Sequence, residues 1–328
     1  MENSEKLNPI AHAHNARALT TKLQELGEEA REIIAAGVPK NTRRTYNAQW
    51  RKFHLWCAEH DRCALPTEAE TLILYLTARS HEVKVTTLNV ALAAITVAHR
   101  EAGYADWAAT DLQGVRVFMR GLRRTKSTAP EKKAALFLAD IAKGLPPSLL
   151  ARHVQTRALI LVGFFAALRR SELVGLNIAD VEKIPNGYRL MIWHSKTDKT
   201  DEGQVVSVPR TGGPLCPSTA LSAWIEQRDG GIEALFTSRG GGRMTVDTVA
   251  FRVKAVARRA GLDPALYAGH SLRSGFVTEA ARHSAGEHEI MKITRHRSER
   301  TVRGYIQEGT LGANHPGLLI AAAFEEQE

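Results

Sequence analysis

Five stretches with apolar residues at helical spacing follow one another between residues 16 and 124, and this run strongly constrains the fold. Side chains three and four positions apart share one face of a helix, so each stretch predicts a helix with one buried face. The predicted helices are 16–36, 42–59, 66–80, 86–102 and 111–124. Pro66-Thr67 should open the third helix, and Thr86 or Thr87 should cap the fourth. The short connections predict an all-helical bundle.

The second half of the chain has a different pattern, in which helical and strand-like segments alternate. Thr156–Leu168 is apolar nearly all round and predicts a buried helix. Tyr188–Trp193 and Gln204–Val208 predict the strands of a β-hairpin about the polar turn 195–203, and Leu235-Phe236 predicts a short strand. The further helices expected here are Val246–Arg259, Ser271–Arg282, Glu287–Thr294 and Arg300–Ile306. We therefore expect a mixed α+β domain with a small antiparallel sheet.

A basic stretch separates the two halves. Residues 114–133 contain seven basic residues and a single acidic one, and Ser127-Thr128-Ala129-Pro130 interrupts the helical pattern. The basic residues are Arg116, Arg120, Arg123, Arg124, Lys126, Lys132 and Lys133. This pattern indicates an interdomain linker, although a solvated helix face followed by a loop gives the same pattern. The predicted division is an N-terminal tail and helix (1–38), a helical domain (39–125), a linker (126–134) and a mixed domain (135–328).

Charge and apolar patterning narrow the kind of protein. The 328 residues carry a net charge of +9, which favours a polyanionic partner such as nucleic acid. No apolar run approaches the roughly 20 residues that a membrane helix needs, so no membrane partner is expected. The N-terminus lacks the pattern of a secretory signal, and the three cysteines form no CxxC pair. The sequence thus predicts a soluble cytoplasmic protein that binds nucleic acid.

Residues suited to phosphodiester chemistry are concentrated in the second half. Such chemistry needs a nucleophile, cations for the non-bridging oxygens, and an acid for the leaving oxygen. Arginine suits the second task because its planar fork binds two phosphate oxygens and stays protonated. A tyrosine is mostly protonated at pH 7, so it needs positive neighbours to act as a nucleophile. Four arginines lie within ten positions of Tyr305: Arg295, Arg297, Arg300 and Arg303.

Four further stretches carry candidate residues. Arg169 stands in A-L-R-R-S-E-L, Lys196 in the hairpin turn, and His270 and Arg273 in G-H-S-L-R-S-G, and His296 precedes Tyr305 by nine residues. The order and spacing of these residues resemble the signature of the tyrosine recombinase (phage integrase) family, which is Arg…Lys…His-x-x-Arg…His/Trp…Tyr, with nine residues as the usual last interval. The resemblance covers about residues 40–310. It is greatest to Cre and its relatives, which often have tryptophan where this chain has His296.

The resemblance implies a role for each matched residue. Arg169 and Arg273 would clamp the scissile phosphate. Tyr305 would be the nucleophile and would form a 3′-phosphotyrosine with release of a 5′-hydroxyl. His270 would assist the transfer of the tyrosine proton, and His296 would hydrogen-bond the phosphate. The reaction implied is strand transfer in DNA without ATP, metal or cofactor.

Two further roles follow from the resemblance. Lys196, in the S-K-T context of the hairpin turn, would protonate the leaving 5′ oxygen. Lys199 lies three positions later in the same turn, and the sequence leaves the choice between the two lysines open. Glu172 would support the site by orienting His270 or an arginine.

The resemblance also implies an architecture and an assembly. The helical domain would be a SAM-like core-binding domain, and together with the α+β catalytic domain it would form a C-shaped clamp on double-stranded DNA. Four copies would act on two duplexes with inverted-repeat sites through a Holliday junction in a bacterial or phage nucleoid. The apolar piece Pro316–Phe324 would dock into a neighbouring subunit, or else pack on its own domain.

A set of basic or polar residues is expected to contact DNA. Its members are Arg43, Arg44, Lys84, Thr87, Arg120, Arg123, Arg124, Lys126, Lys132, Lys133 and Arg243. Two other functions remain open on the same residues. A type IB topoisomerase would relax supercoils with the same chemistry, and a non-cutting DNA-binding protein would keep the fold without the reaction.

Overall fold

The computed structural model describes residues 22–29, 37, 39–104, 112–126, 133–193, 203–295, 299 and 302–304. The chain forms two compact units, Met1–Pro130 and Glu131–Glu328. Within the described ranges, no helix combines the length and apolar character needed to span a bilayer.

The first unit is all-helical in its described part, as predicted. Residues 22–29 are helical. The longer helices are α1 (Lys40–Glu59), α2 (Ala69–Ser80), α3 (Val85–Glu101) and α4 (Leu112–Thr125). Their apolar faces meet in one core, where the ring of Phe53 on α1 packs edge-on against Tyr75 on α2 with centroids 5.0 Å apart. Helical periodicity therefore identifies the core face correctly in this unit.

Three predicted helix starts in the described part of this unit differ from the structure. Helix α1 begins at Lys40, two residues before the predicted start. Helix α2 begins at Ala69 and not at Pro66, because the backbone N–H of Thr67 donates to His99 Nε2 at 2.9 Å and holds this residue against α3. Helix α3 begins at Val85, and its N-cap residue Lys84 makes no side-chain capping bond. Val85 is buried in the core, so its packing extends the helix beyond the threonines expected to cap it.

The second unit is mixed, with a helical majority and one small sheet. Its helices are α5 (Leu138–Gly144), α6 (Ala151–Phe165), α7 (Arg170–Gly175), α8 (Pro217–Gln227), α9 (Val246–Arg259), α10 (Ser271–Arg282) and α11 (Glu287–Thr294). Helix α6 lies at the centre of the core and packs against α8 and α10, and every side chain from Ala158 to Val162 is fully buried. The predicted buried helix is confirmed. It begins earlier than Thr156 and ends three residues before Leu168, because Ala167 adopts a left-handed conformation with φ 47°.

The sheet has three antiparallel strands in the order β1-β2-β3. The strands are β1 (Val181–Ile184), β2 (Gly187–Ile192) and β3 (Gln204–Pro209). Leu190 of β2 lies between Val181 and Val206 in register, so an apolar row crosses the sheet. Strands β2 and β3 were predicted as a hairpin, whereas β1 was not predicted.

The predicted strand at Leu235-Phe236 is wrong. This segment forms only isolated bridges to either side, Asn177 with Ala234 and Thr237 with Arg243. Its backbone N–H and C=O groups bond to separate partners and do not form the regular hydrogen-bond ladder of a β-sheet. The Leu235 N–H donates to the Leu176 carbonyl, and the Leu235 carbonyl accepts from Trp224 Nε1 at 2.7 Å.

Helices α9, α10 and α11 lie where the sequence places them, and α10 carries Arg273 of the candidate site. Thr245 caps α9 by accepting from the Thr248 N–H at 3.2 Å, and Gly261 follows the helix in a left-handed conformation. Gly275 lets α10 approach the backbone of Leu136, where a Cβ would overlap the carbonyl oxygen. Helix α10 is thereby fixed closely against the segment that precedes α5.

Candidate active site

Arg169 is positioned by the turn that connects α6 to α7. The left-handed Ala167 redirects the chain after α6, Leu168 is buried, and Arg169 becomes the N-cap of α7. Glu172, three residues later, accepts twice from it. Its Oε2 lies 2.8 Å from the Arg169 N–H, and its Oε1 lies 2.6 Å from Arg169 Nη1. One carboxylate thus fixes both the start of the helix and the direction of the guanidinium.

Glu172 also binds a second arginine from a distant part of the chain. Arg295 Nη2 donates to Glu172 Oε2 at 2.6 Å. The Glu172 side chain is fully buried, and the side chains of Arg169 and Arg295 are 15% and 8% exposed. The resemblance predicts that Glu172 orients His270 or an arginine, and in the structure its carboxylate binds Arg169 and Arg295.

Arg273 lies on α10 and is almost fully buried. Its Nη1 donates to the Ala167 carbonyl at 2.7 Å, and its Nη2 donates to the Thr294 carbonyl. These carbonyls belong to the turn before Arg169 and to the residue before Arg295. The Arg273 guanidinium therefore ties together the two turns that present the other arginines.

His270 is the N-cap residue of α10 and is exposed. Desolvation of its imidazole by the surrounding protein lowers the pKa of His270 below its ordinary value. The guanidinium charges of Arg273 and Arg169 lower this pKa further. Glu172 acts in the opposite direction on this pKa. The imidazole is therefore neutral at pH 7, so it is able to accept a proton from a neighbouring hydroxyl.

Arg169, Arg273 and Arg295, together with Glu172, form a positively charged cluster, and Arg169 and Arg273 lie close enough to His270 to lower its pKa. Hydrogen bonds to a carboxylate and to backbone carbonyls hold these guanidinium groups in fixed positions. The side chains therefore need little reorganisation when negative charge develops nearby. Positive charge exceeds negative charge in this cluster, which suits a phosphate or its transition state. In the part of the chain that the structure describes, no group of three or more His, Cys, Asp or Glu side chains could hold a metal ion.

Three predicted catalytic residues, Lys196, His296 and Tyr305, lie outside the described residues, as do Lys199, Lys132 and the segment 316–324. The nearest described part to Tyr305 in sequence is 302–304, which is helical. Val302 there is fully buried and packs with Val277 of α10 and Ile290 of α11. The chain just before Tyr305 is thus anchored to the two helices that carry Arg273 and Arg295.

Predicted DNA-contacting residues of the first unit are mostly exposed. Arg43 and Arg44 line a shallow groove of about 440 Å³ on α1 together with Arg51. Along α4, Arg120 and Arg124 are exposed, and Arg123 donates to the Asn89 side chain at 3.1 Å.

The remaining predicted contacts have different surroundings. Lys84 is exposed and Thr87 is half-buried. Lys126 donates to the Ser80 carbonyl, and Lys133 of the second unit donates to the Ala265 carbonyl at 2.9 Å. These lysines therefore already hold elements of their own units together.

Arg243 has its terminal nitrogens at the end of α7. Its Nη1 donates to the carbonyls of Val174 and Gly175 at 2.8 and 3.0 Å, and its Nη2 donates to the side chain of Asn177. Cations stabilise helix carboxyl ends because unsatisfied carbonyls gather there. In the described structure, Arg243 therefore binds the carboxyl end of the helix whose N-cap is Arg169.

A basic cleft of about 580 Å³ in the second unit was not predicted from sequence. The side chains that give it its character are Arg152, His153, Arg239, Phe251, Arg252 and Arg259. Burial lowers the pKa of Arg252 to about 10, and its Nη1 has no acceptor among the described residues. The lining comes from α6, α9 and the loop between the bridges at 237–243, so no local sequence pattern indicates the cleft.

Comparisons with known proteins bear on this arrangement. The sequence profile of the phage integrase family matches residues 141–310. An integrase/recombinase XerD homologue of Selenomonas ruminantium is 31% identical over 298 residues, which cover 88% of this chain and 87% of that protein. The tyrosine recombinase XerD of Pseudomonas putida is 28% identical over 299 residues, covering 83% and 88% of the two chains.

Solved structures agree in fold. The XerH site-specific recombinase, bound to its palindromic difH substrate, superposes with a TM-score of 0.62 at 18% identity over 86% of this chain and 79% of that chain. The Tn1549 transposon integrase, in complex with a circular intermediate DNA, gives 0.61 at 17% identity over 84% and 92%. The family profile covers more than half of the residues, and the Selenomonas ruminantium relative is 31% identical over most of both chains. The chain therefore belongs to the phage integrase family of tyrosine recombinases.

Proposed function

We propose that this recombinase breaks and rejoins DNA at specific sites through a covalent 3′-phosphotyrosine on Tyr305. The observation that supports the proposal most is the pre-organised centre of Arg169, Glu172 and Arg273 beside a neutral His270. Such a centre neutralises charge on non-bridging phosphate oxygens and accepts a proton from a hydroxyl nucleophile, which are two requirements of phosphodiester transfer.

The proposed reaction conserves the number of phosphodiester bonds. The phenol oxygen of Tyr305 attacks phosphorus while its proton passes to His270, and the bond from phosphorus to the 5′ oxygen breaks. Lys196 gives the leaving oxygen its proton, and His296 donates to the phosphate. The 5′-hydroxyl of another strand then reverses these steps. Because each ester replaces another, the cycle needs no ATP.

We further propose that residues 39–125 form the core-binding domain, 126–134 the linker and 135–328 the catalytic domain. DNA would contact the exposed arginines of α1 and α4 and the basic cleft. Phosphate contacts of this kind supply affinity and register, whereas sequence choice comes from base edges. The XerH and Tn1549 structures hold DNA with a similar fold, which supports DNA as the partner here.

The assembly proposed is a tetramer that joins two duplexes and passes through a Holliday junction. Exchange between two duplexes requires four cuts, so one active tyrosine for each cut means four protomers. The apolar segment Pro316–Phe324 would link neighbouring protomers. Sites with inverted repeats follow from this assembly, because paired protomers read the two halves of each site in opposite directions.

The test traps the covalent intermediate. Purified protein is mixed with sheared DNA from its own source, the reaction is stopped in denaturant, and attached fragments are sequenced. Tyr305→Phe is run in parallel, with Tyr104→Phe as a control that changes an exposed tyrosine of the first unit. Adducts from the parent and from Tyr104→Phe, absent in Tyr305→Phe and sharing an inverted repeat, are expected. Adducts on random fragments would indicate a topoisomerase, and intact DNA binding without adducts would contradict cutting.

A further inference from the structure

We infer that Arg295 is a third phosphate-binding arginine of the active site, contacting the scissile phosphate together with Arg169 and Arg273. The inference rests on the proposed function, since it concerns the same phosphate. It assigns a substrate contact to a residue outside the family signature described above.

The backbone at Arg295 is the first observation. Arg295 is the C-cap of α11 and has φ 55° and ψ 40°, a left-handed conformation. Glycine is the usual residue there because a side chain crowds the following carbonyl. Here the turn carries a long side chain despite that strain. The conformation aims the chain so that the guanidinium reaches Glu172 on α7.

The second observation is the incomplete pairing of the guanidinium. Nη2 is bound to Glu172, but Nε and Nη1 are buried and have no acceptor among the described residues. The side chain is only 8% exposed, so water access is limited. Buried donors are nearly always satisfied in folded proteins, and a guanidinium has five N–H bonds to satisfy. The three N–H bonds on these nitrogens therefore require acceptors that the described protein does not supply.

The electrostatic surroundings specify an anion as that acceptor. Among the described residues, Glu172 is the one carboxylate that pairs with Arg295 and Arg169, so there the pair of arginines keeps an excess positive charge. Burial lowers the pKa of Arg295 and the neighbouring Arg169 lowers it further, while Glu172 raises it. An oxygen of a phosphodiester would satisfy the donors and balance the charge at once.

The contacts that link Arg295 to Arg169 and Arg273 favour binding of the same phosphate by all three arginines. Arg273 donates to the carbonyl of Thr294, the residue immediately before Arg295. Arg169 and Arg295 share Glu172, with both ion pairs 2.6 Å long. Each of the three arginines is thus held by a contact that also positions another, so they form one rigid set.

The test uses DNA whose scissile phosphate is neutralised. In a methylphosphonate, a methyl group replaces one non-bridging oxygen, so an arginine that binds the phosphate has less charge to stabilise. Cleavage rates of the parent, Arg295→Gly and Arg295→Lys are measured on phosphodiester and methylphosphonate substrates in both stereochemical forms. Glycine suits the left-handed turn, so Arg295→Gly is expected to remain folded, as checked by circular dichroism.

On the phosphodiester, Arg295→Gly should cleave about 100-fold or more slowly than the parent, as for loss of one stabilising donor. On the methylphosphonate the difference should shrink to less than about 10-fold in at least one stereochemical form. Arg295→Lys should lie between, since it keeps charge but loses the fork. Lys292→Ala, an exposed cation of the same helix, should match the parent on both substrates.

Equal losses for Arg295→Gly on both substrates would overturn the inference, because a purely structural role is insensitive to phosphate charge. A parent-like rate on the phosphodiester would overturn it as well. The parent protein distinguishes this outcome from failure of the proposed function. If the proposed function is wrong, the parent forms no adduct on the phosphodiester, or the Tyr305→Phe variant still forms the adduct.

Discussion

Glu172 is the residue on which the geometry of the candidate site depends most. Its side chain is fully buried and forms ion pairs with two arginines, Arg169 at the start of α7 and Arg295 in the turn after α11. Removing one partner from a buried ionic cluster leaves uncompensated charge, which costs far more than breaking an exposed pair. The carboxylate therefore contributes to stability as well as to the arrangement of the arginines.

We expect Glu172→Gln to lower the free energy of unfolding by about 3 kcal/mol, because two buried guanidinium groups lose their counterion. Urea denaturation followed by circular dichroism measures this change. The control is Glu182→Gln, which removes an exposed ion pair with Arg189 and should change stability by less than about 1 kcal/mol. Equal effects of the two substitutions would contradict the central position of Glu172.

His270 predicts a definite pH profile for DNA cleavage. Its pKa is lowered, so the ring is neutral above pH 6.5 and becomes protonated only below that pH. As a proton acceptor it is active when neutral, so cleavage should be constant from pH 6.5 to 8 and fall as the pH drops further. Single-turnover rates across this range measure the profile. His270→Gln should be slower and lack the decline at low pH, and an unchanged decline in that variant would exclude His270 as its source.

At single residues, the sequence identifies candidates that stand in a recognisable motif. It does not identify residues that reach the site only through contacts between distant parts of the chain. Arg169, His270 and Arg273 stand in recognisable stretches, and in the structure Arg273 donates to the Ala167 carbonyl in the turn before Arg169. Arg295 has no such signal. Its pairing with Glu172 spans more than a hundred positions and depends on a left-handed turn that its own sequence disfavours.

Helix α10 depends on Gly275 for its close approach to the segment before α5. A Cβ at this position would overlap the Leu136 carbonyl oxygen, and backbone atoms cannot move aside cheaply. We expect Gly275→Ala to lower the free energy of unfolding by about 3 kcal/mol and to reduce cleavage, because α10 also carries Arg273. Gly121→Ala on α4, where no atom lies within 4 Å, should instead stabilise by about 0.5 kcal/mol. Urea denaturation of both variants tests this difference in sign.

Among the helices, the bounds of α9, α10 and α11 are predicted correctly. At α9 this is because amphipathic spacing coincides with the capping residue Thr245. Helix α6 is predicted in type but not in bounds, since its first turn carries exposed polar residues that hide the pattern. The short helix α7 could not be predicted from periodicity. Its six residues are stabilised by Glu172 and Arg243, which reach its two ends.

The molecule as a whole has a basic surface whose effect on DNA binding can be measured. Removing one cation that binds a phosphate should reduce the slope of the logarithm of the binding constant against the logarithm of salt by about 1. We expect the combined replacement of Arg43, Arg44 and Arg51 by glutamine to lower this slope by about 2 to 3. Arg79→Gln serves as the control because Arg79 lies on α2 and does not line this groove. An unchanged slope in the triple variant would show that the groove on α1 does not contact DNA phosphates.

The sequence predicts the two-part organisation of the molecule because the periodicity changes from purely helical to mixed across a basic stretch. It does not predict surfaces that several segments build together. The basic cleft takes Arg152 from α6, Arg239 from a loop and Arg252 from α9. Their proximity follows from the packing of these segments and has no counterpart in spacing along the chain.

Covalent attachment of DNA to Tyr305 can be tested by mapping the adduct. A DNA site found by adduct sequencing is made with a nick near the cleavage position, so that the released strand diffuses away and the intermediate accumulates. Protease and nuclease digestion followed by mass spectrometry then locates the attached nucleotide. We predict a 3′-linked nucleotide on the peptide that contains Tyr305. Attachment to any other residue, or a linkage through the 5′ end, would contradict nucleophilic attack by Tyr305.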